Sequence, residues 1–305
     1  MGKLAFVFTG QGSQQQGMAR DLYENYHEVR QLFDRAEAMM PGIKELMWSG
    51  TKEELNLTTN TQPTLFLATL ACSTALGVEG IRAQGAAGFS HGEVSAACYA
   101  GVMQQEQAFS FVCKRAELMH DCARIRQGSM FAVLKLSSGE VEALSKRLDA
   151  VYPVNYNCPG QTVVASAEES ANQLQEAVRE AGGKAVRLLV SGAFHSPFMD
   201  SASEGIAEYL KNKTLEKPRI PLYANTTAQP YGNPKTLLAQ QINHPVLWQK
   251  TIENMEASGF DVFVELGPGN TLTKLINKIS PGVRTYKVSD KASLNETVEA
   301  LRATA

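Results

Sequence analysis

The sequence predicts an α/β protein whose parallel sheet is interrupted by a small α+β insert. Three observations lead there. Toward both ends of the chain, short apolar segments alternate with long amphipathic ones, the pattern of strands covered by helices. The middle instead reads strand, helix, strand, strand, helix, strand within about sixty residues, a ferredoxin-like order. The 305 residues, 44% of them hydrophobic, suffice for one large core and a second, smaller one.

The first strand is expected at 4–8 (LAFVF), ending in the loop TGQGSQ (9–14). Amphipathic helical patterns follow at about 18–40 and 63–79, then a short apolar segment at 85–89 and a helix at about 105–124. In the insert, strands are expected at 130–136, 151–155, 161–165 and 184–190, with helices at 138–149 and 168–181. Beyond it a helix opens near Pro197, strands fall at about 220–224 and 261–266, and helices at about 246–258 and 270–279. The large domain is therefore discontinuous, 1–126 plus 192–305, and the insert spans 127–191.

A net charge of −2 gives no electrostatic reason to expect nucleic acid or an anionic membrane as partner. The apolar run near the N-terminus is too short for a signal peptide, and no segment is long and apolar enough for a membrane span. The five cysteines (Cys72, Cys98, Cys113, Cys122, Cys158) are scattered, with no C-x-x-C pair. That argues against a disulfide framework or a zinc site and for a reducing, cytoplasmic location; no metal is expected.

GFSHG (88–92) fits the G-x-S-x-G nucleophile elbow, at the strand-to-helix junction the motif requires. The glycines let neighbouring chain pass close to a sharply turned serine, and the following helix aims its N–H groups at the site. This makes Ser90 the candidate nucleophile and the domain α/β-hydrolase-like. A serine hydroxyl needs a base. His91 is adjacent, but neighbours in an elbow diverge, so its expected contribution is the main-chain N–H, as an oxyanion donor, with the imidazole lining or flanking the pocket. His27 and His120 lie within helical patterns. His195, at a strand end before Ser196-Pro197, and His244, in a turn, remain as bases.

Seven motifs in order resemble one family: FVFTGQGSQ (6–14), GFSHGEVSA (88–96), KRAELM (114–119), NYNCPGQ (155–161), GAFHSPFM (192–199), QQINHPV (240–246) and VELGPG (264–269). Together they resemble the malonyl-CoA:acyl carrier protein transacylases and the related acyltransferase domains of polyketide synthases. The resemblance implies Ser90 as acyl acceptor and His195 as general base, oriented by the main-chain carbonyl of Gln241. It also implies Gln11 and His91 as main-chain oxyanion donors and Arg115 as the grip on the malonyl carboxylate. A guanidinium suits that task, because it pairs a carboxylate through two parallel hydrogen bonds. Without the resemblance, Arg115 would read as a solvated helix charge. Phe194 would oppose a branched α-methyl group, and Asn157 reads either as a polar site residue or as part of a turn.

The implied reaction is ping-pong transfer from malonyl-CoA to the phosphopantetheine thiol of holo acyl carrier protein, in fatty acid synthesis, by a monomer with no bound cofactor. Phe89 and His91 depart from the residues usual around the serine. Alternatives are an acyltransferase acting in trans on a polyketide synthase and a serine acyl hydrolase. Lys114, Arg124 and Arg126 are candidates for a basic patch facing the carrier protein.

Overall fold

The computed structural model describes residues 2–190 and 192–303; the expected domain boundary at 191 lies outside them. Among the described residues the strands are, in chain order, β1 (Lys3–Phe8), β2 (Gly85–Gly88), β3 (Gly128–Leu134), β4 (Val151–Cys158), β5 (Gln161–Ala167), β6 (Lys184–Arg187), β7 (Leu222–Tyr223), β8 (Phe260–Leu266) and β9 (Arg284–Val288). They form two sheets. One is parallel, in the order β7-β2-β1-β8-β9. The other is antiparallel, in the order β4-β5-β3-β6.

β1 is central in the parallel sheet and buried on both faces, which is why its sequence is a continuous apolar run. Phe6 and Phe8 face one layer, which includes the helix Thr58–Val78; Ala5 and Val7 face the other, with Trp248, Ile252 and Phe263. In register, Phe8 lies beside Gly88 on one side and Leu266 on the other, so three strands end at one level. Loops leaving that edge carry Gln11 and Ser90. Buried Glu265 accepts the Leu272 and Thr273 N–H groups, capping the helix Thr271–Ile279 where that edge turns.

The antiparallel sheet has its own apolar layer: Phe131, Val133 and Val164 pack against Val141 and Leu144 of the helix Ser138–Ser145 and Leu174 and Val178 of the helix Ala171–Glu180. Its other face, with Met130, Val163 and Ala165, joins the main core. The antiparallel sheet is tied by β4 to the segment that precedes the helix Trp248–Ala257. Val246 N–H donates to the Val154 carbonyl at 2.8 Å, and Tyr156 N–H donates to the Val246 carbonyl at 2.9 Å.

Several expected elements need correction. The pattern at 18–40 is two helices, Arg20–Asn25 and His27–Met39, because Tyr26 is extended. The Asn25 side chain takes the Asp21 carbonyl, competing with the backbone there. The helix expected from 63 begins at Thr58, with Pro63 inside it. A proline so near the start forfeits few backbone bonds, and the Thr61 and Thr64 hydroxyls occupy the Leu57 and Asn60 carbonyls. Short helices Ile43–Ser49 and Lys52–Asn56, the strand β9 and the helix Lys291–Ala303 lie beyond the expected elements. No described helix is long and apolar enough to cross a membrane.

Candidate active site

Ser90 sits between β2 and the helix Gly92–Tyr99 with φ +52°, in the left-handed region that side chains rarely adopt. Two glycines make that turn possible. A Cβ at Gly88 would lie 2.0 Å from the Gly92 carbonyl, and one at Gly92 would lie 2.1 Å from the Phe8 carbonyl oxygen. The strained serine is then pinned. Its N–H donates to Asn225 Oδ1 at 2.8 Å, and its carbonyl accepts Gln241 Nε2 at 2.5 Å.

Of the two open candidates for the base, the structure brings His195 to the serine. Ser90 Oγ and His195 Nε2 are 2.6 Å apart. His195 Nδ1 lies 2.8 Å from the Gln241 main-chain carbonyl, which can only accept, so Nδ1 carries the proton and Nε2 is free to take one. His195 also has positive φ, +62°, and its N–H is held by the Ile242 carbonyl at 2.9 Å. His244 is exposed and bonded to its own turn; His27 is on the surface, paired with Gln31. Burial lowers the His195 pKa to about 4, helped by the Arg115 charge and opposed by the Gln241 carbonyl.

Arg115 is 1% exposed, which rules out a solvated helix charge. One terminal nitrogen donates to Gln62 Oε1 at 2.6 Å and the other to Gln241 Oε1 at 2.7 Å, while Nε–H has no partner. Among the described residues no carboxylate pairs with it. Desolvation pushes the guanidinium down to about 10, and the nearby Glu93 charge pulls the other way. Gln241 thus spans the site by three groups: its carbonyl holds His195, its amide nitrogen holds Ser90 and its amide oxygen holds Arg115.

A cleft of about 250 Å³ opens on Ser90 and His195, lined in part by Gln11, Phe89, Met119, Asn155, Asn157 and Phe194. The main-chain N–H groups of Gln11 and His91 have no partner among the described residues. Asn157 lies on β4, which runs to Cys158, so the turn falls later, at Pro159-Gly160, and the turn reading of Asn157 is overturned. The Oδ1 atoms of Asn155 and Asn157 are buried and unpartnered.

The His91 imidazole does not line the cleft. It is 1% exposed with both nitrogens unpartnered, and burial, with the Arg115 charge, holds its pKa well below the usual histidine range. Lys114 pairs with Glu117 on the surface, and Arg126 stacks 3.8 Å from the Phe198 ring centre. Sequence reading passed over Gln62, Asn225 and Glu93. For Asn225 the available signal was its place just past the end of β7, where sites assemble in open sheets.

The model of the acyl transferase domain matches residues 5–295. The chain belongs to the acyl transferase domain family. Within it, the chain is 33% identical over 311 aligned positions to the malonyl CoA-acyl carrier protein transacylase of Bacillus subtilis, covering 99% of the chain and 98% of that protein. The crystal structure of the Clostridium perfringens malonyl CoA-acyl carrier protein transacylase superposes with a TM-score of 0.95 at 32% identity, over 99% of this acyltransferase chain and 98% of that one. A malonyl-transacylase solved in complex with its holo type II PKS acyl-carrier protein superposes with a TM-score of 0.94 at 32% identity, over 98% and 99% of the two chains.

Proposed function

We propose that the chain transfers a malonyl group from malonyl-CoA to the phosphopantetheine thiol of an acyl carrier protein through a malonyl-Ser90 intermediate, in the cytoplasm, supplying fatty acid synthesis. One observation carries this reading: Arg115 is a buried cation with no paired carboxylate among the described residues, one residue removed from the Ser90–His195 pair through Gln241. Glu93 acts on Arg115 only from a distance, through a carboxyl pushed up to about 7, and a buried charge without a directly paired counter-charge costs ~3–5 kcal/mol. A substrate that brings its own carboxylate removes that cost, and an acetyl group does not.

The mechanism follows from the geometry. His195 Nε2 takes the Ser90 hydroxyl proton, and Oγ attacks the thioester carbonyl carbon. The resulting oxyanion is met by the N–H groups of Gln11 and His91. The carbon–sulfur bond breaks, and coenzyme A leaves with the proton from His195. The carrier-protein thiol then gives its proton to His195 and attacks the malonyl-serine carbonyl; the carbon–Oγ bond breaks, and His195 returns the proton to Ser90 Oγ. Only side chains, main-chain groups and the two substrates take part; no cofactor is required, and every group comes from a single chain.

The unpartnered Asn155 and Asn157 oxygens suit the amide N–H groups of a phosphopantetheine arm. Phe194 supports the choice of an unbranched acyl group, since its ring lines the cleft beside His195. Arg124 and Arg126, at the end of the helix Gln105–Ile125, remain candidates for carrier-protein contact. We further read the antiparallel unit as a ferredoxin-like insert, 127–191, in a discontinuous α/β-hydrolase-like domain, 1–126 and 192–305. The strand order and the two helices on one face support this.

Intact-protein mass spectrometry after mixing with malonyl-CoA or acetyl-CoA tests the reading. A malonyl adduct is expected on the wild type and none on Ser90→Ala. In Arg115→Ala, malonyl loading is expected to fall by about 10²-fold while acetyl loading persists, the scale of a lost charge-assisted contact. Steady release of coenzyme A with no adduct would make water the acceptor and replace the transferase with a hydrolase.

A further inference from the structure

Glu93 lies in the first turn of the helix Gly92–Tyr99, three residues after the nucleophile, and is 1% exposed. It touches neither Ser90 nor His195 through its carboxylate. Its Oε2 accepts the Asn225 main-chain N–H at 3.0 Å, and its Oε1 accepts the Tyr231 hydroxyl. Asn225 in turn is committed on both sides of its amide. Oδ1 accepts the Ser90 N–H at 2.8 Å and Gln241 Nε2 at 3.2 Å, while Nδ2 donates to the Gly88 carbonyl at 2.6 Å.

Every link from Glu93 to the reacting pair is therefore a hydrogen bond, between buried groups until the part-buried bonds to Ser90. Asn225 clamps the strained turn from Gly88 to Ser90 and steadies the Gln241 amide; Gln241 holds the His195 ring through its carbonyl. A serine at positive φ stays there only if its surroundings over-determine it. Asn225 supplies much of that determination, and its own backbone is seated by a carboxylate.

We propose that Glu93 is a positioning residue for the Ser90–His195 pair, acting through Asn225. Its role is geometric rather than one of charge. Burial pushes the carboxyl up to about 7, against the hydrogen bonds from Tyr231 and Asn225 and the charge of Arg115. The protonated acid still presents a carbonyl oxygen to the Asn225 N–H and an O–H to Tyr231, so either form seats the loop. Glutamine, with the same shape, does so as well.

The proposal takes the reaction from the reading above, but its test does not depend on the acyl group. A fluorophosphonate labels an activated serine whatever the natural substrate. Glu93→Ala is expected to lower the labelling rate of Ser90 and kcat with malonyl-CoA by about 10²-fold, with KM within about threefold of wild type. Glu93→Gln is expected to stay within about threefold of wild type in both, which a purely electrostatic role would not allow. A wild-type rate in Glu93→Ala, or an equal loss in Glu93→Gln, overturns the proposal.

Should Glu93→Ala fail to fold, Tyr231→Phe decides. It leaves the carboxylate in place with one donor fewer, and labelling should slow by about 3–10-fold at unchanged KM, the scale of one hydrogen bond. A wild-type rate there, beside an unfolded Glu93→Ala, would assign Glu93 to stability alone and overturn the proposal. If the wild type labels with fluorophosphonate but takes no malonyl group, the proposed function fails and the positioning role is still tested.

Discussion

The elbow around Ser90 and the buried layer around Arg115 meet at Gln241, yet they are built in opposite ways. The elbow is local. Residues 88–92 form it, and its conformation follows from close backbone approaches at Gly88 and Gly92. The buried layer is assembled across the chain. Gln62 reaches Arg115 from 53 positions away and Gln241 from 126. In the proposed reaction the elbow makes a nucleophile for any acyl group, and the layer chooses which acyl group is worth holding. Damage to the first should be indiscriminate and damage to the second selective.

The largest effect should come from Gly92→Ala. A methyl group there meets the Phe8 and Thr9 carbonyl oxygens at 2.1 and 2.7 Å, and these are backbone atoms with little room to yield. The end of β1 and the turn at Ser90 must move apart, with overpacking costs of about 1–3 kcal/mol or more. Activity should fall by about 10³-fold or more with malonyl-CoA and acetyl-CoA alike, because displacing a reacting atom by 1 Å costs about 10²-fold and an oxyanion donor moves too. Steady-state kinetics with both thioesters, beside a melting curve, checks this; a loss confined to malonyl-CoA would break the division between elbow and layer.

Arg115→Lys should produce the selective counterpart. An ammonium keeps the charge but cannot reach Gln62, Gln241 and a carboxylate with the fixed fork of a guanidinium. Malonyl-CoA kcat/KM is expected to fall by about 10²-fold, the scale of one or two charge-assisted hydrogen bonds, with acetyl-CoA changed less than about threefold. If acetyl transfer fell in parallel, Arg115 would be supporting the Ser90–His195 pair through Gln241 rather than reading the substrate.

The same contrast explains what was readable in the sequence. G-x-S-x-G is a steric statement about five consecutive residues, so Ser90 and its turn could be derived from them. The parallel sheet and the strands of the antiparallel one were readable because strand and helix periodicity is also local. His195 could be narrowed only to a pair with His244, since nothing in the residues fixes which strand end faces Ser90. Arg115 looked like a solvated charge until the resemblance assigned it a role, because one helix position does not reveal that its side chain is buried. Gln62 and Glu93 left no local trace, and Asn225 left only its place past the end of β7: each is an ordinary polar residue whose partner lies far along the chain. The Asn157 side chain was ambiguous for a similar reason, as N-C-P-G reads as a turn until the length of β4 is known.

The smallest and most diagnostic effect concerns pH. Burial, with the Arg115 charge, holds the His195 pKa at about 4, below the ordinary histidine value of 6.5. A depressed folded-state pKa means the neutral ring is favoured in the fold. Its contribution to stability is present above 6.5 and is lost as pH falls toward 4. The base therefore remains competent in the free enzyme well below neutrality. When a malonyl carboxylate meets Arg115, it offsets one of the two causes of that depression, and His195 becomes more basic. For malonyl-CoA, the acid limb of kcat, which reports the bound complex, should sit at higher pH than the limb of kcat/KM, which reports the free enzyme. For acetyl-CoA, which brings no carboxylate, the two limbs should coincide. Pre-steady-state acylation rates between pH 4 and 8 would settle this. Coincident limbs for malonyl-CoA would mean the Arg115 charge is not felt at His195, and the layer would then select its substrate by contact alone.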